Sequence, residues 1–197
     1  MAKFFSNLWA VLGVSVVLLL LVAVGFHRDA FDALYANYLF RFLHVLFAIM
    51  WIGLLYYFNF VQIPTMPKVP AELKPGVSKY IAPEALFWFR WAAAFTVLTG
   101  LSIAGMPGPG GDPYLVKALS FQEGFRVIGL GMWLALIMAF NVWFVIWPNQ
   151  KKALGLVEAD APTKAKAATT AMIFSRTNVL LSLPMLYCMV EQFYLPR

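Results

Sequence analysis

The stretch FSNLWAVLGVSVVLLLLVAVGF, residues 5–26, decides the fold class of this chain. It contains no charged residue, and its apolar run matches the roughly 20 residues that a helix needs to cross a bilayer. The lysine before it gives it some likeness to a secretory signal peptide. However, the apolar run is longer than a typical signal core, and it lacks a convincing small-residue cleavage site. The stretch therefore predicts a retained transmembrane helix.

Four further segments have the same apolar character. The chain is 62% hydrophobic and 12% charged, whereas soluble domains use roughly 45–50% apolar residues. The sequence predicts an all-α integral membrane protein, one transmembrane domain over residues 1–197, whose short loops leave no room for a soluble domain. The bundle of five predicted helices lies near residues 5–26, 37–61, 84–106, 125–147 and 172–194.

The positive charges predict the orientation of these helices. The formal net charge of +6 does not indicate nucleic-acid binding, because the lysines lie in short loops, where they report membrane topology. Cytoplasmic loops retain an excess of Lys and Arg, so we expect the N-terminus inside and the C-terminus outside. The basic residues predicted inside are Lys3, Lys68, Lys74, Lys79, Lys151, Lys152, Lys164 and Lys166, against Arg28, Lys117 and Arg197 outside.

Three features predict where the helices stop. The proline-rich stretch 62–83 is expected to run extended along the cytoplasmic face. The stretch 155–170 is polar and rich in small residues, so we expect a mobile loop there. Pro148 is expected to end the fourth helix, because proline lacks the backbone donor that a helix interior requires.

An arginine and a histidine interrupt the second predicted helix near its outer end. Arg41 and His44 are three residues apart and share one helix face, and Trp51 lies nearly below His44. His44 is about eight residues into the helix, roughly 12 Å along it. Arg126, at the start of the fourth helix, belongs to the same layer. Ionisable residues inside a membrane are costly and are functional candidates by default.

Two interpretations of His44 remain open. In the first, His44 is an axial ligand of a non-covalent b-type haem, with Arg41 or Arg126 pairing a propionate and Trp51 nearby. In the second, a neutral His44 is hydrogen-bonded to a neighbouring helix and holds the bundle together. The second is favoured, because the other histidine, His27, lies at the outer mouth of the first helix and is too shallow for bis-histidine ligation.

A second polar layer lies near the inner ends of the helices. Arg90, Asn141, Arg176 and Asn178 fall at one depth and could bind a lipid or quinone headgroup or an anionic substrate. The structural alternative is stronger, because arginines commonly snorkel to the interface and asparagines commonly satisfy carbonyls at helix ends.

The cysteine and methionine pattern predicts no metal site. Cys188 is the single cysteine, so a thiolate cluster and a C-x-x-C-H haem attachment are excluded. The methionines show no close spacing with histidine and are interpreted as core filler. They include Met50, Met132, Met138 and Met189.

Four segments resemble one known family. FRFLHVLFAIMWIGLLYYFNF (40–60), EALFWFRWAAAFTVLTGLS (84–102), AFNVWFVIWPNQKKALG (139–155) and SRTNVLLSLPMLYCMV (175–190) appear in the order found in the bacterial membrane-bound urate hydroxylases. This family is also called the urate oxidase N-terminal domain. The resemblance covers most of the chain from about residue 37, and N-V-W-F-V-I-x-P-N-Q is its most specific part.

The resemblance implies a place in the bacterial inner membrane and a link to urate oxidation. Family members are thought to oxidise urate and to pass electrons into the respiratory chain, and longer ones carry a cytochrome c domain. The present sequence resembles a short form without that domain. The matching motif positions are His44, Trp51, Arg90, Asn141, Asn149, Gln150, Arg176 and Asn178.

Two functions follow as expectations. The first is a small integral subunit of a larger membrane redox assembly, mainly structural and not catalytic alone. It would contact lipid, other integral subunits and a haem or quinone. The second is a membrane oxidoreductase that acts on urate or a related purine and passes electrons to a separate cytochrome c, with the inner arginines and asparagines binding the purine anion.

Overall fold

The structure, a computed structural model, describes residues 1–109 and 111–191, apart from the side chain of Asp29. These residues are helical and contain no β-strand. Five helical segments of the described chain are long and apolar enough to cross a membrane, which confirms the five predicted spans. They are Leu8–His27, Ala33–Lys68, Lys74–Gly105, Arg126–Ala153 and Ala161–Glu191.

The main helix of each span is named here in chain order. They are α1 (Leu8–His27), α2 (Ala33–Tyr56), α3 (Ala82–Gly105), α4 (Arg126–Phe140) and α5 (Ala161–Glu191). Helices α1 and α2 begin at side-chain caps that satisfy free backbone N–H groups. The Asn7 side chain accepts from the N–H of Ala10, and the Asp32 side chain accepts from the N–H of Tyr35 at 2.8 Å.

The proline-rich stretch 62–83 is not extended, so that prediction was wrong. A π-helical turn, Tyr57–Gln62, continues α2, and short helical turns follow as far as Lys68. Further turns, Lys74–Gly76 and Val77–Ile81, lead directly into α3. Four of the five prolines occupy the first or second position of helical segments, where proline is tolerated. They are Pro64, Pro67, Pro75 and Pro83.

Two further helix boundaries differ from the prediction. Pro148 does not end the fourth span, because a π-helical turn, Asn141–Ile146, precedes it and the helix resumes over Trp147–Ala153. The fifth span starts at Ala161 and not near residue 172. Alanine and lysine are good helix formers, and the Asp160 carboxylate accepts from the N–H of Thr163 at 3.1 Å. The predicted stretch 192–194 lies outside the described residues.

Helices α2 to α5 pack into a bundle in which chain neighbours are antiparallel. We call the side with the start of α2 and the end of α3 the Tyr114 end, and the opposite side the Trp147 end. The main core fills the middle and the Trp147 end, and its most buried members are Trp51, Leu55, Phe89, Met138, Val142 and Ile146. A smaller cluster at the Tyr114 end contains Ala104, Ala118, Ile128 and Met132.

Helix α1 stands apart from this packing. It is strongly apolar on all sides and has no buried residue. In a bilayer, lipid tails solvate such a helix as well as another apolar helix does, so its exposure carries no penalty there. The polar groups that position a site therefore lie on α2 to α5.

Candidate functional site

Three polar residues lie on one face of α2. Asn37, Arg41 and His44 are spaced four and three residues apart, which places them on one side of a helix. Asn37 is buried, and its side-chain amide donates to the carbonyl of Ile103 at 3.1 Å. Its Oδ1 atom is also buried and has no hydrogen-bond partner among the described residues. The sequence analysis identified Arg41 and His44 in this group but missed Asn37, which carries no charge.

His44 is hydrogen-bonded to α3. Its Nδ1 atom lies 2.8 Å from the carbonyl oxygen of Thr96 and 3.3 Å from Oγ1 of Thr99. Because a carbonyl only accepts, Nδ1 carries the proton in this arrangement and Nε2 keeps its lone pair. The structure thus contains the hydrogen bond to a neighbouring helix that the second interpretation of His44 requires.

A glycine makes this contact geometrically feasible. A Cβ atom placed on Gly100 would lie 2.9 Å from Cε1 and 3.2 Å from Nδ1 of His44. Real Cβ atoms do not approach other atoms so closely, so any side chain at this position would displace the imidazole. Gly100 therefore allows α2 and α3 to approach at His44.

A cavity of about 30 Å³ lies beside His44. Its walls come from α2, α3, α4 and α5, and ligand pockets for large cofactors are typically about ten times larger or more. In this packing the residues do not fit a haem, and haem contact at His44 stays a prediction. The lining residues are His44, Thr96, Val97, Gly100, Leu101, Met132, Ala135, Leu136 and Met189.

Arg41 connects α2 to the segment between α3 and α4. Its side chain hydrogen-bonds to Tyr114, whose ring stacks on Phe125 with centroids 5.8 Å apart. Burial raises the pKa of the Tyr114 hydroxyl, and the charge and hydrogen bond of Arg41 oppose that rise. Arg126 is exposed at the start of α4, and none of the contacts in the described chain joins it to His44.

Trp51 lies deeper than the cavity. It is fully buried in the main core, about 10 Å further along α2 than His44, and it does not line the cavity. Its indole N–H has no hydrogen-bond partner among the described residues. The predicted grouping of Trp51 with His44 around one cofactor is therefore not assembled in this packing.

The two predicted asparagines form a buried pair between α4 and α5. The Asn141 side chain donates to Oδ1 of Asn178 at 2.9 Å. Asn178, which is fully buried, donates in turn to the carbonyl of Met138 at 3.0 Å. Asn141 begins the π-helical turn, where the regular helix ladder is interrupted. The pair thus satisfies polar groups that the interruption would leave in an apolar interior.

The two predicted arginines lie apart from this pair. The guanidinium carbon of Arg90 lies 3.9 Å above the ring of Trp147 and 5.3 Å from that of Phe87. Its backbone carbonyl accepts from the indole N–H of Trp143 at 3.0 Å. Arg176 is exposed on α5, and as it is two residues from Asn178 the two do not share a face. The structure does not join the four residues into one site.

The sequence analysis missed two polar contacts between the second and the fifth span. The side-chain amide of Asn59 donates to Oγ of Ser175 and to the carbonyl of Leu55, each at 2.8 Å. The Tyr56 hydroxyl lies 2.9 Å from Oγ of Ser182. Polar residues recurring in the apolar run YYFNFVQ (56–62) were the available signal. Among the described residues, no group of three or more His, Cys, Asp or Glu side chains is placed to hold a metal ion.

Comparison with known proteins adds one finding. Residues 114–196 match the family model described as urate oxidase N-terminal. The matched range covers α4, α5 and the loop between them, and it includes both members of the Asn141–Asn178 pair. No curated protein and no solved structure matches the chain.

Proposed function

Because residues 114–196 match the urate oxidase N-terminal family model, we propose that this chain is a small integral membrane subunit of a redox assembly that takes part in urate oxidation. In this proposal the subunit is mainly structural and is not catalytic alone. Its partners are lipid, other integral membrane subunits and a cytochrome c that accepts electrons. In the assembly, this chain contacts a haem or a quinone but does not enclose it.

Three hydrogen bonds between helices inside the bundle carry this proposal. His44 is bonded to Thr96 across α2 and α3, and Asn141 is bonded to Asn178 across α4 and α5. The Tyr56 hydroxyl meets Ser182 across α2 and α5. Interhelical hydrogen bonds of this kind hold membrane bundles together. Polar groups engaged with one another in this way support a scaffold that positions redox groups held by partner chains.

The proposal includes an orientation and a membrane. The excess of basic residues in the loops at the Trp147 end supports a cytoplasmic position for that end. The Tyr114 end then faces outward, with the N-terminus inside and the C-terminus outside. The family relationship supports the cytoplasmic membrane of a bacterium as the location.

Isolation from native membranes tests the subunit role. We expect the affinity-tagged chain, extracted in a mild detergent, to migrate in native gels with other integral membrane chains and with urate-dependent reduction of an electron acceptor. Dissociation of those partners should abolish the activity. A chain that purifies alone as a monomer and still oxidises urate would contradict the proposal.

A second candidate is the membrane enzyme that oxidises urate itself. The observation that favours it is the cation of Arg90 stacked on Trp147, with Nη1 buried and lacking a hydrogen-bond partner in the described chain. An arginine fork and an aromatic face suit a planar purine anion. A lipid or quinone headgroup is the competing occupant of the same place.

Matched arginine variants test this second candidate. If Arg90 binds the purine, Arg90→Gln should abolish urate consumption in membranes supplied with an acceptor, and Arg90→Lys should restore little of it. Arg126→Gln is the control, because Arg126 is an exposed arginine at the opposite end of the bundle. Equal loss in both variants, or in neither, would exclude a specific role for Arg90.

A further inference from the structure

We propose that His44, Met132 and Met189 form a binding site for one soft monovalent metal ion, Cu(I). This goes beyond the proposed function, which assigns no metal to the chain. The three side chains come from α2, α4 and α5, and they line the same cavity. Chain spacing gave no sign of this arrangement, which is why the methionines were interpreted as core filler.

Met132 on α4 and Met189 on α5 line the same cavity, and the two helices approach closely beside them. Gly131, beside Met132, is buried, and a Cβ atom there would lie 3.5 Å from the terminal methyl of Met189. Met132 belongs to the small core cluster at the Tyr114 end, and Met189 packs against that cluster. Both side chains therefore border the cavity and pack among neighbouring residues.

His44, the third side chain, has the geometry of a metal ligand. The carbonyl of Thr96 holds its Nδ1 proton, which leaves the Nε2 lone pair for coordination. Metal-bound histidines commonly donate their other ring N–H to a backbone carbonyl or carboxylate, which fixes the tautomer and the ring orientation. Gly100 allows the ring to hold this position against α3.

The size of the cavity and the types of its ligands favour Cu(I) over other ions. The cavity volume of about 30 Å³ is close to the share of one water molecule in the liquid, which suits a guest of one atom or ion. Thioether and imidazole ligands favour Cu(I), whereas Mg²⁺ and Ca²⁺ require oxygen ligands. No acidic side chain lines the cavity, and a single positive charge is less costly there than two.

Competitive titration of the full chain in detergent micelles tests the site. Cu(I) is added without oxygen in the presence of bicinchoninate, a coloured Cu(I) chelator. We expect one Cu(I) per chain in the wild type, and affinity lowered about tenfold or more in Met132→Leu, Met189→Leu and His44→Ala. X-ray absorption of the loaded protein should show sulfur and nitrogen neighbours together.

Two controls keep the test decisive. Met138→Leu changes a fully buried methionine outside the cavity and should leave the affinity unchanged. The Met→Leu changes conserve volume, so they retain the fold even if His44→Ala does not. Cys188→Ser addresses the buried thiol next to Met189. The proposal is overturned if the chelator removes all copper, or if Cys188→Ser abolishes binding while the methionine variants retain it.

Discussion

Gly100 and His44 meet so closely that a Cβ atom on Gly100 would lie 2.9 Å from the Cε1 atom of the imidazole. The absence of one methyl group therefore determines how near α2 comes to α3 at the deepest histidine of the chain. The same approach brings Nδ1 of His44 to the Thr96 carbonyl. The first prediction follows from this contact.

Gly100→Ala is expected to destabilise the bundle by about 1–3 kcal/mol, the usual cost of overpacking a close contact. The matched control is Gly53→Ala, because a Cβ atom there meets nothing within 4 Å and alanine is the better helix former. Thermal unfolding in detergent micelles measures both variants. Equal stability of the two would show that α2 and α3 are not in contact at His44.

Asn178→Leu is expected to lower the free energy of unfolding by about 1–2 kcal/mol, because it removes the acceptor of the Asn141 amide and one of the donors to the Met138 carbonyl. A double-mutant cycle with Asn141→Leu should give a coupling free energy of roughly 1 kcal/mol. Asn149→Leu is the control, since that side chain bonds to the Val145 carbonyl of its own helix. A coupling of zero would contradict the hydrogen bond between the two asparagines.

Stability is expected to fall at alkaline pH through Tyr114. Burial raises the pKa of Tyr114 in the folded state, so the unfolded chain loses this proton first, near pH 10. The stabilising contribution is present below that pH and is lost as pH rises through the folded-state pKa. Comparing the unfolding of wild type and Tyr114→Phe between pH 8 and about 11 separates the contribution of Tyr114 to stability from that of the lysines. Parallel curves for the two proteins would contradict the prediction.

The predicted orientation can be tested by labelling single cysteines. In a Cys188→Ala background, Asp112→Cys and Lys68→Cys place thiols at exposed positions on opposite ends of the bundle. A membrane-impermeant maleimide should label Asp112→Cys in intact cells, and Lys68→Cys only after the membrane is opened. The reverse pattern would invert the orientation and leave the fold unchanged.

The visible spectrum tests the haem prediction. Because the cavity beside His44 holds about 30 Å³, we expect a reduced-minus-oxidised b-type band in preparations that retain partner chains and none in the isolated chain. A band in the isolated chain that disappears in His44→Ala would instead make His44 an axial ligand. It would also require α2 and α3 to separate from the packing described here.

The helix boundaries show how far local sequence signals extend. Prolines predicted an extended 62–83 stretch and a stop at Pro148, and both expectations were wrong. Proline prevents a helix only where a backbone donor is needed, and these residues lie at the starts of helical segments or just after a π-helical turn. Asp160 is a typical cap residue and indicates a helix start at Ala161. The polar composition of the stretch led instead to the prediction of a loop.

The sequence by itself determined five helices that are long and apolar enough to cross a membrane. The length of an apolar run is a local property of the sequence, and it decides whether a helix can span the bilayer. The sequence also indicated which polar residues are unusual at their depth, His44, Asn141 and Asn178 among them. Only the tertiary structure decided their partners. Asn141 contacts Asn178, His44 contacts Thr96 and Gly100, and Met132 and Met189 line one cavity, because helix packing brings together residues far apart in the chain. No periodicity within one helix encodes such contacts, since they depend on the crossing of two helix surfaces.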